Sequence, residues 1–115
     1  MFDPREELAS IEANFVQLQQ LLGMDMRGEL LEAYFVTQDE CLKRLAQALY
    51  AANSNEAVEA AHKLKGAAAQ LGAAHMSVLC NQIEQHARAG RLDEVRRQWP
   101  PMSELAGQLG QALKR

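Results

Sequence analysis

The sequence predicts an all-α fold: an antiparallel four-helix bundle with an additional N-terminal helix and a kinked C-terminal helix. Three observations carry that prediction. Apolar residues recur at spacings of three and four along most of the chain, the period of one helix face. No stretch alternates with period two, as a half-buried strand would. Every connection between periodic segments is short, which favours antiparallel neighbours. At 115 residues the chain has the size of one domain, expected over 1–115, with one core built mainly from Leu, Ala, Val, Ile and Met because aromatics are only 5%.

The first helix opens at Asp3-Pro4, with Asp as N-cap and Pro at the first helical position. Its stripe is Leu8, Ile11, Phe15, Leu18 and Leu22, and Gly23 ends it. The second helix is expected from about Asp25 to Ala52, with Leu31, Tyr34, Phe35, Cys41, Leu42, Leu45 and Leu49 inward and Gly28 in the first turn, where it does least damage. Asn53-Ser54-Asn55-Glu56 is a break and restart, in which Asn53 caps the next helix and Glu56 reaches back as in a capping box.

The third helix runs to about Leu71 and is stopped by Gly72. Ala57, Ala61, Leu64, Ala68 and Leu71 share its inner face; His62 falls nearly opposite, on a stripe with Asn55, Glu59, Gly66 and Ala69. The fourth helix is expected from about Ala74 to Ala89, with Met76, Leu79, Cys80, Ile83 and Ala87 inward and Gly90 as its stop. A fifth segment begins near Arg91 and meets Pro100-Pro101 after Trp99, where a kink or restart is expected before the last helix ends near Leu113.

Formal net charge is −3, which argues against nucleic acid as a partner. The charge is uneven. Before Cys41 nine acids stand against Arg5 and Arg27; from Cys41 onward ten bases face six acids. The mildly basic second half suits an acidic or phosphorylated partner, although a solvated helical surface accounts for it equally. Cys41 and Cys80 each fall in an apolar helical pattern and read as buried reduced thiols. No leader-like start and no apolar run of membrane-spanning length is present, so the expected location is the cytoplasm.

The residues around His62 carry the chemistry. A glycine inside a helix costs about 1 kcal/mol relative to alanine. One turn beyond His62, Gly66 leaves clearance for an approaching molecule. An imidazole, with an ordinary pKa near 6.5, is mostly neutral and nucleophilic near neutral pH. Were its nitrogen to take a phosphoryl group, Lys65 would stand close enough to neutralise the added oxygens. The nitrogen–phosphorus bond so formed is labile, suited to passing the group on.

The run His62-Lys63-Leu64-Lys65-Gly66-Ala67, followed by Leu71-Gly72-Ala73, resembles the histidine-containing phosphotransfer (HPt) domains of bacterial multistep phosphorelays. Leu79-Cys80-Asn81-Gln82-Ile83-Glu84, with Ala89-Gly90-Arg91 after it, is similar to the next helix of that family; the likeness covers roughly Leu31 to Arg91. It implies His62 as phosphoacceptor, Lys65 as the phosphate-facing cation and Gly66 as the clearance position. It also implies a Gln or Glu on the facing helix that orients the imidazole. Glu84 falls at the matching distance, with Gln82 or Gln85 as fallbacks. Docking contacts are expected around Lys63 and Gln70, although the latter reads more readily as a solvated residue.

The resemblance further implies receiver domains of hybrid sensor kinases and response regulators as partners. The phosphoryl group comes from one receiver's phosphoaspartate and leaves to another's aspartate. No cofactor is expected in this chain: it has no Gly-rich nucleotide loop, so no ATP-dependent kinase activity is expected, and magnesium belongs to the receiver. Met1 and the capped first helix favour a free-standing carrier, expected to be a monomer.

Two rival readings compete. Glu59-Ala60-Ala61-His62 is a Glu-x-x-His, but di-iron bundles need it on two helices and aimed inward, whereas here it occurs once and points out. A zinc site from His75, Cys80 and His86 fails because His75 and Cys80 share no face; His75 instead belongs near a helix start and His86 beside the Leu79–Ile83 face. The other rival is a non-catalytic adaptor that docks signalling proteins without carrying phosphate. An intact His62, Lys65 and Gly66 argue against it.

Overall fold

The computed structural model describes residues 3–114. Among the described residues there are five helices and no strand: α1 (Pro4–Leu22), α2 (Arg27–Tyr50), α3 (Ser54–Leu71), α4 (Ala74–Arg88) and α5 (Leu92–Leu113). α3 packs most extensively against α4 and α2, α5 closes against α4 and α2, and α1 lies against α3, α4 and α5. The inner face of α3 explains its central place. Ala57, Ala60, Ala61 and Ala68 are buried with Leu64 and Leu71, and small side chains let neighbouring helix backbones come close.

The helix starts follow local chemistry. Asp3 accepts a hydrogen bond from the Arg5 amide with Pro4 at the first position of α1, and Gly23, with φ +70°, closes it. Asn53 caps α3 by accepting from the Glu56 amide at 3.1 Å. The capping box is not completed, however. The Glu56 carboxylate is taken by Arg44 at 2.7 Å, and the Asn53 amide donates instead to the Ala48 carbonyl. α2 is shorter than expected at both ends: Asp25 stays outside and accepts from the Arg27 amide, while Ala51 and Ala52 form the turn after Tyr50, Ala52 with φ +51°.

The inward stripes hold with two corrections on polarity. In α1, Ile11 and Phe15 are buried, but Leu22 is exposed, and the buried Glu7 has no place in an apolar stripe. Glu7 caps another helix: it accepts from the amides of His75 and Met76 at the start of α4. In α2, Gln38 is buried among the aromatics, accepting from the Tyr34 hydroxyl at 2.7 Å and donating to the Ala106 carbonyl. A period-only reading passes over both, because each polar group is satisfied within the fold.

Of the kink or restart expected at Pro100-Pro101, the restart does not occur: α5 runs through both prolines. Each interior proline costs about 3 kcal/mol. Against that, Val95, Trp99, Met102, Ala106 and Leu109 keep spacings of three and four across the prolines, and Val95, Met102 and Leu109 are at most 1% exposed. Each large buried side chain contributes about 1.5–3 kcal/mol, so packing on both sides of the prolines outweighs their local cost. Cys41 and Cys80 are free and buried, and burial pushes the Cys80 thiol up to about 12.

Candidate functional site

His62 stands on the outer side of α3 with its side chain 67% exposed, while Glu84 reaches it from α4 with a side chain only 5% exposed. The Nδ1 atom of His62 lies 3.2 Å from Glu84 Oε1. The same oxygen accepts from Lys65 Nζ at 2.8 Å, and Arg88, one turn further along α4, grips the other oxygen at 2.6 Å. Lys65 also donates to Asn81 Oδ1 at 3.4 Å. Thus three nitrogen groups converge on one carboxylate.

Burial alone would raise the pKa of Glu84, but hydrogen bonds from Lys65, Arg88 and His62 outweigh it and hold the carboxyl near about 2. Glu84 is therefore a carboxylate at neutral pH and can only accept. The His62 nitrogen facing it must carry the hydrogen. In the neutral ring that leaves the lone pair on Nε2, on a side chain open to solvent. The arrangement presents one oriented nucleophilic nitrogen, with an anion behind the ring to balance positive charge that develops on it.

Of the residues singled out in the sequence, His62, Lys65 and Glu84 are brought together. The facing position belongs to Glu84: Gln82 turns toward α5, where it accepts from Gln98, and Gln85 is exposed. Gly66 is exposed, and a Cβ built on it would meet nothing within 4 Å, so the fold itself does not require glycine there. Lys63 is paired with Glu40 of α2 at 2.9 Å, and it holds the Glu40 carboxyl below its usual range. Gln70 is exposed; its backbone carbonyl receives a hydrogen bond from Asn14.

Arg88 and Asn81 escaped the sequence reading. The spacing of Glu84 and Arg88, one helical turn apart, was the available signal for the first; Asn81 carried none. The rival metal sites find no support. Glu59 points to Arg44, and no group of three or more His, Cys, Asp or Glu among the described residues could hold a metal ion. Nor is any helix among them long and apolar enough to cross a membrane.

A family model described as "Hpt domain" matches residues 29–115, which takes in α3, α4, α5 and nearly all of α2 and leaves α1 outside. Comparison with curated proteins and with solved structures gives no significant match.

Proposed function

The chain belongs to the Hpt domain family, and from that premise we propose that His62 accepts a phosphoryl group from a receiver-domain phosphoaspartate and passes it to the aspartate of another receiver in a signalling phosphorelay. The observation that carries this reading is the contact between His62 Nδ1 and the buried Glu84 carboxylate, which leaves Nε2 free on an exposed ring.

In the forward step Nε2 attacks phosphorus. The N–P bond forms as the bond from phosphorus to the aspartyl oxygen breaks, and the aspartate leaves as a carboxylate with the electron pair. The ring keeps its proton on Nδ1 and becomes cationic, facing the Glu84 carboxylate. Lys65 then moves its charge toward the phosphoryl oxygens while Arg88 stays on Glu84. The receiver supplies magnesium and most of the charge stabilisation. This chain supplies position: a fixed nitrogen with no bulk at Gly66.

The same reading includes an antiparallel arrangement of α2 to α5 with α1 packed across it, one domain over 1–115, and no cofactor held by this chain. It also includes a monomeric, cytoplasmic phosphoprotein with Lys63 and Gln70 at the docking surface. The deciding experiment is transfer of labelled phosphate from a phosphorylated receiver to the protein and to His62→Gln. Acid-labile, alkali-stable label on the unmodified protein alone supports the phosphocarrier. No label from any of several receivers favours the adaptor, and equal labelling of both places the acceptor elsewhere.

A further inference from the structure

We propose that Glu7 is a positioning residue for the His62–Glu84 pair, acting with Ser10 and Asn14 as a clamp on the corner between α3 and α4. What the pair does rests on the phosphotransfer reading above; whether the pair is held in place does not.

His62 and Glu84 belong to different helices joined only by Gly72 and Ala73. Their contact therefore depends on how α4 is set relative to α3. The last carbonyls of one helix and the first amides of the next have no partners of their own. The corner satisfies only part of them: the Gly72 and Ala73 amides close onto the Ala68 and Ala69 carbonyls, but the N-cap of α4 is Ala73, which has no side-chain acceptor.

α1 supplies what is missing on both sides. Glu7 Oε1 accepts from the His75 amide at 2.9 Å and Oε2 from the Met76 amide at 2.7 Å. One oxygen per amide fixes the carboxyl plane against the first turn of α4, at the end where the helix dipole favours an acidic group. On the α3 side, the Ser10 hydroxyl donates to the Gly72 carbonyl at 2.6 Å and Asn14 Nδ2 donates to the Gln70 carbonyl at 2.9 Å. Glu7, Ser10 and Asn14 follow one another at spacings of three and four, so one stripe of α1 meets both helix ends.

The approach is close enough to dictate the sequence of the corner. Gly72 has φ +88°, and a Cβ there would lie 2.5 Å from the Asn14 Cβ, so only glycine lets α1 seat. Glu7 is 0% exposed; its carboxyl is wholly given to α4. This helix lies outside residues 29–115 matched by the family model.

A helix transmits its starting orientation along its length. Glu84 lies eight residues beyond Met76, about 12 Å along α4 at 1.5 Å per residue. A rotation of α4 by roughly a tenth of a turn swings a side-chain head by a few ångströms, enough to break the 3.2 Å contact with His62.

The test uses the full chain with Glu7→Gln and, separately, Asn14→Ala, which leaves the α4 cap in place. Folding is followed by circular dichroism, and the His62 ring nitrogens are read by 15N NMR in the unphosphorylated protein. Glu7→Gln keeps one acceptor but turns an NH2 toward the second amide. Its expected effect is loss of the preference for hydrogen on Nδ1, seen as the two nitrogen shifts moving toward each other. Transfer from a phosphorylated receiver is expected to lose about tenfold in kcat with KM within about twofold. Asn14→Ala is expected to move the nitrogen shifts the same way by less. Lower thermal stability with unchanged His62 shifts in Glu7→Gln, or in Asn14→Ala if the first variant does not fold, overturns the proposal and makes Glu7 a stabilising cap alone. If the unmodified protein takes no label from any receiver, the phosphotransfer reading fails, and the nitrogen shifts still decide the clamp.

Discussion

Glu84 Oε1 lies 3.2 Å from His62 Nδ1, and the two side chains are opposite in exposure, 5% against 67%. The buried partner is the charged one, and its cations give stability a defined pH dependence. In the folded chain the Glu84 carboxyl sits near about 2, against 4.5 for the ordinary group. Its folded pKa is depressed, so the unfolded chain binds the proton more readily, and the contribution is complete above the unfolded value and lost as pH falls toward the folded one. The urea midpoints of wild type and Glu84→Gln are expected to differ in full above about pH 5 and to converge as pH falls toward about 2. A difference that is constant across that range would show that the carboxylate's charge contributes nothing.

Lys65 and Arg88 share Glu84, one on each oxygen, at 2.8 and 2.6 Å. Either cation alone keeps the buried carboxylate compensated; losing both leaves it only His62. Breaking a buried pair costs far more than the pair contributes at the surface. In a double-mutant cycle, Lys65→Met with Arg88→Met is therefore expected to destabilise by on the order of 1 kcal/mol more than the two single changes together. Chemical denaturation measures it, and additivity within error would mean the two cations act independently.

Gly66 separates fold from function. It is exposed on α3, and an added Cβ touches nothing within 4 Å, so Gly66→Ala should raise stability by about 0.5–1 kcal/mol through helix propensity. The same methyl stands one turn from His62, where on the phosphotransfer reading a receiver approaches. Thermal melting is expected to show the gain while transfer from a phosphorylated receiver slows. A more stable variant with unimpaired transfer would remove clearance as the reason for glycine.

How much was legible in the sequence varied with the range of the interaction. His62 outward and Ala57, Ala61, Leu64, Ala68 and Leu71 inward follow from helical period alone, and α3 bears this out. Gly23 and Gly72 as stops are local backbone chemistry and were equally readable. Glu7 was not, because its partners are the amides of His75 and Met76, which no pattern in residues 4–22 announces. At Pro100 and Pro101 only the choice between kink and restart was open, and the helix does not restart for a related reason: a local rule was overridden by burial on either side. At the site, the position of Glu84 came from family likeness and its pairing with Arg88 was signalled by their one-turn spacing, whereas its burial needed the fold.

The turn between α2 and α3 stores a local cost that can be removed. Ala52 has φ +51°, the left-handed region, where a Cβ crowds the following carbonyl and costs roughly 1–2 kcal/mol. Glycine takes that conformation freely but loses more entropy on folding, by roughly 0.5–1 kcal/mol. The strain term is the larger, so Ala52→Gly is expected to stabilise by on the order of 0.5–1 kcal/mol. The turn is exposed and Ala52 has no place in the core, so no packing is lost to offset the gain. Because the change lies at the far end of α3 from the corner held by Glu7, transfer to and from His62 should be untouched. A urea titration checks the first expectation and a transfer assay the second. A less stable Ala52→Gly protein would mean that the turn relaxes out of the left-handed region in solution.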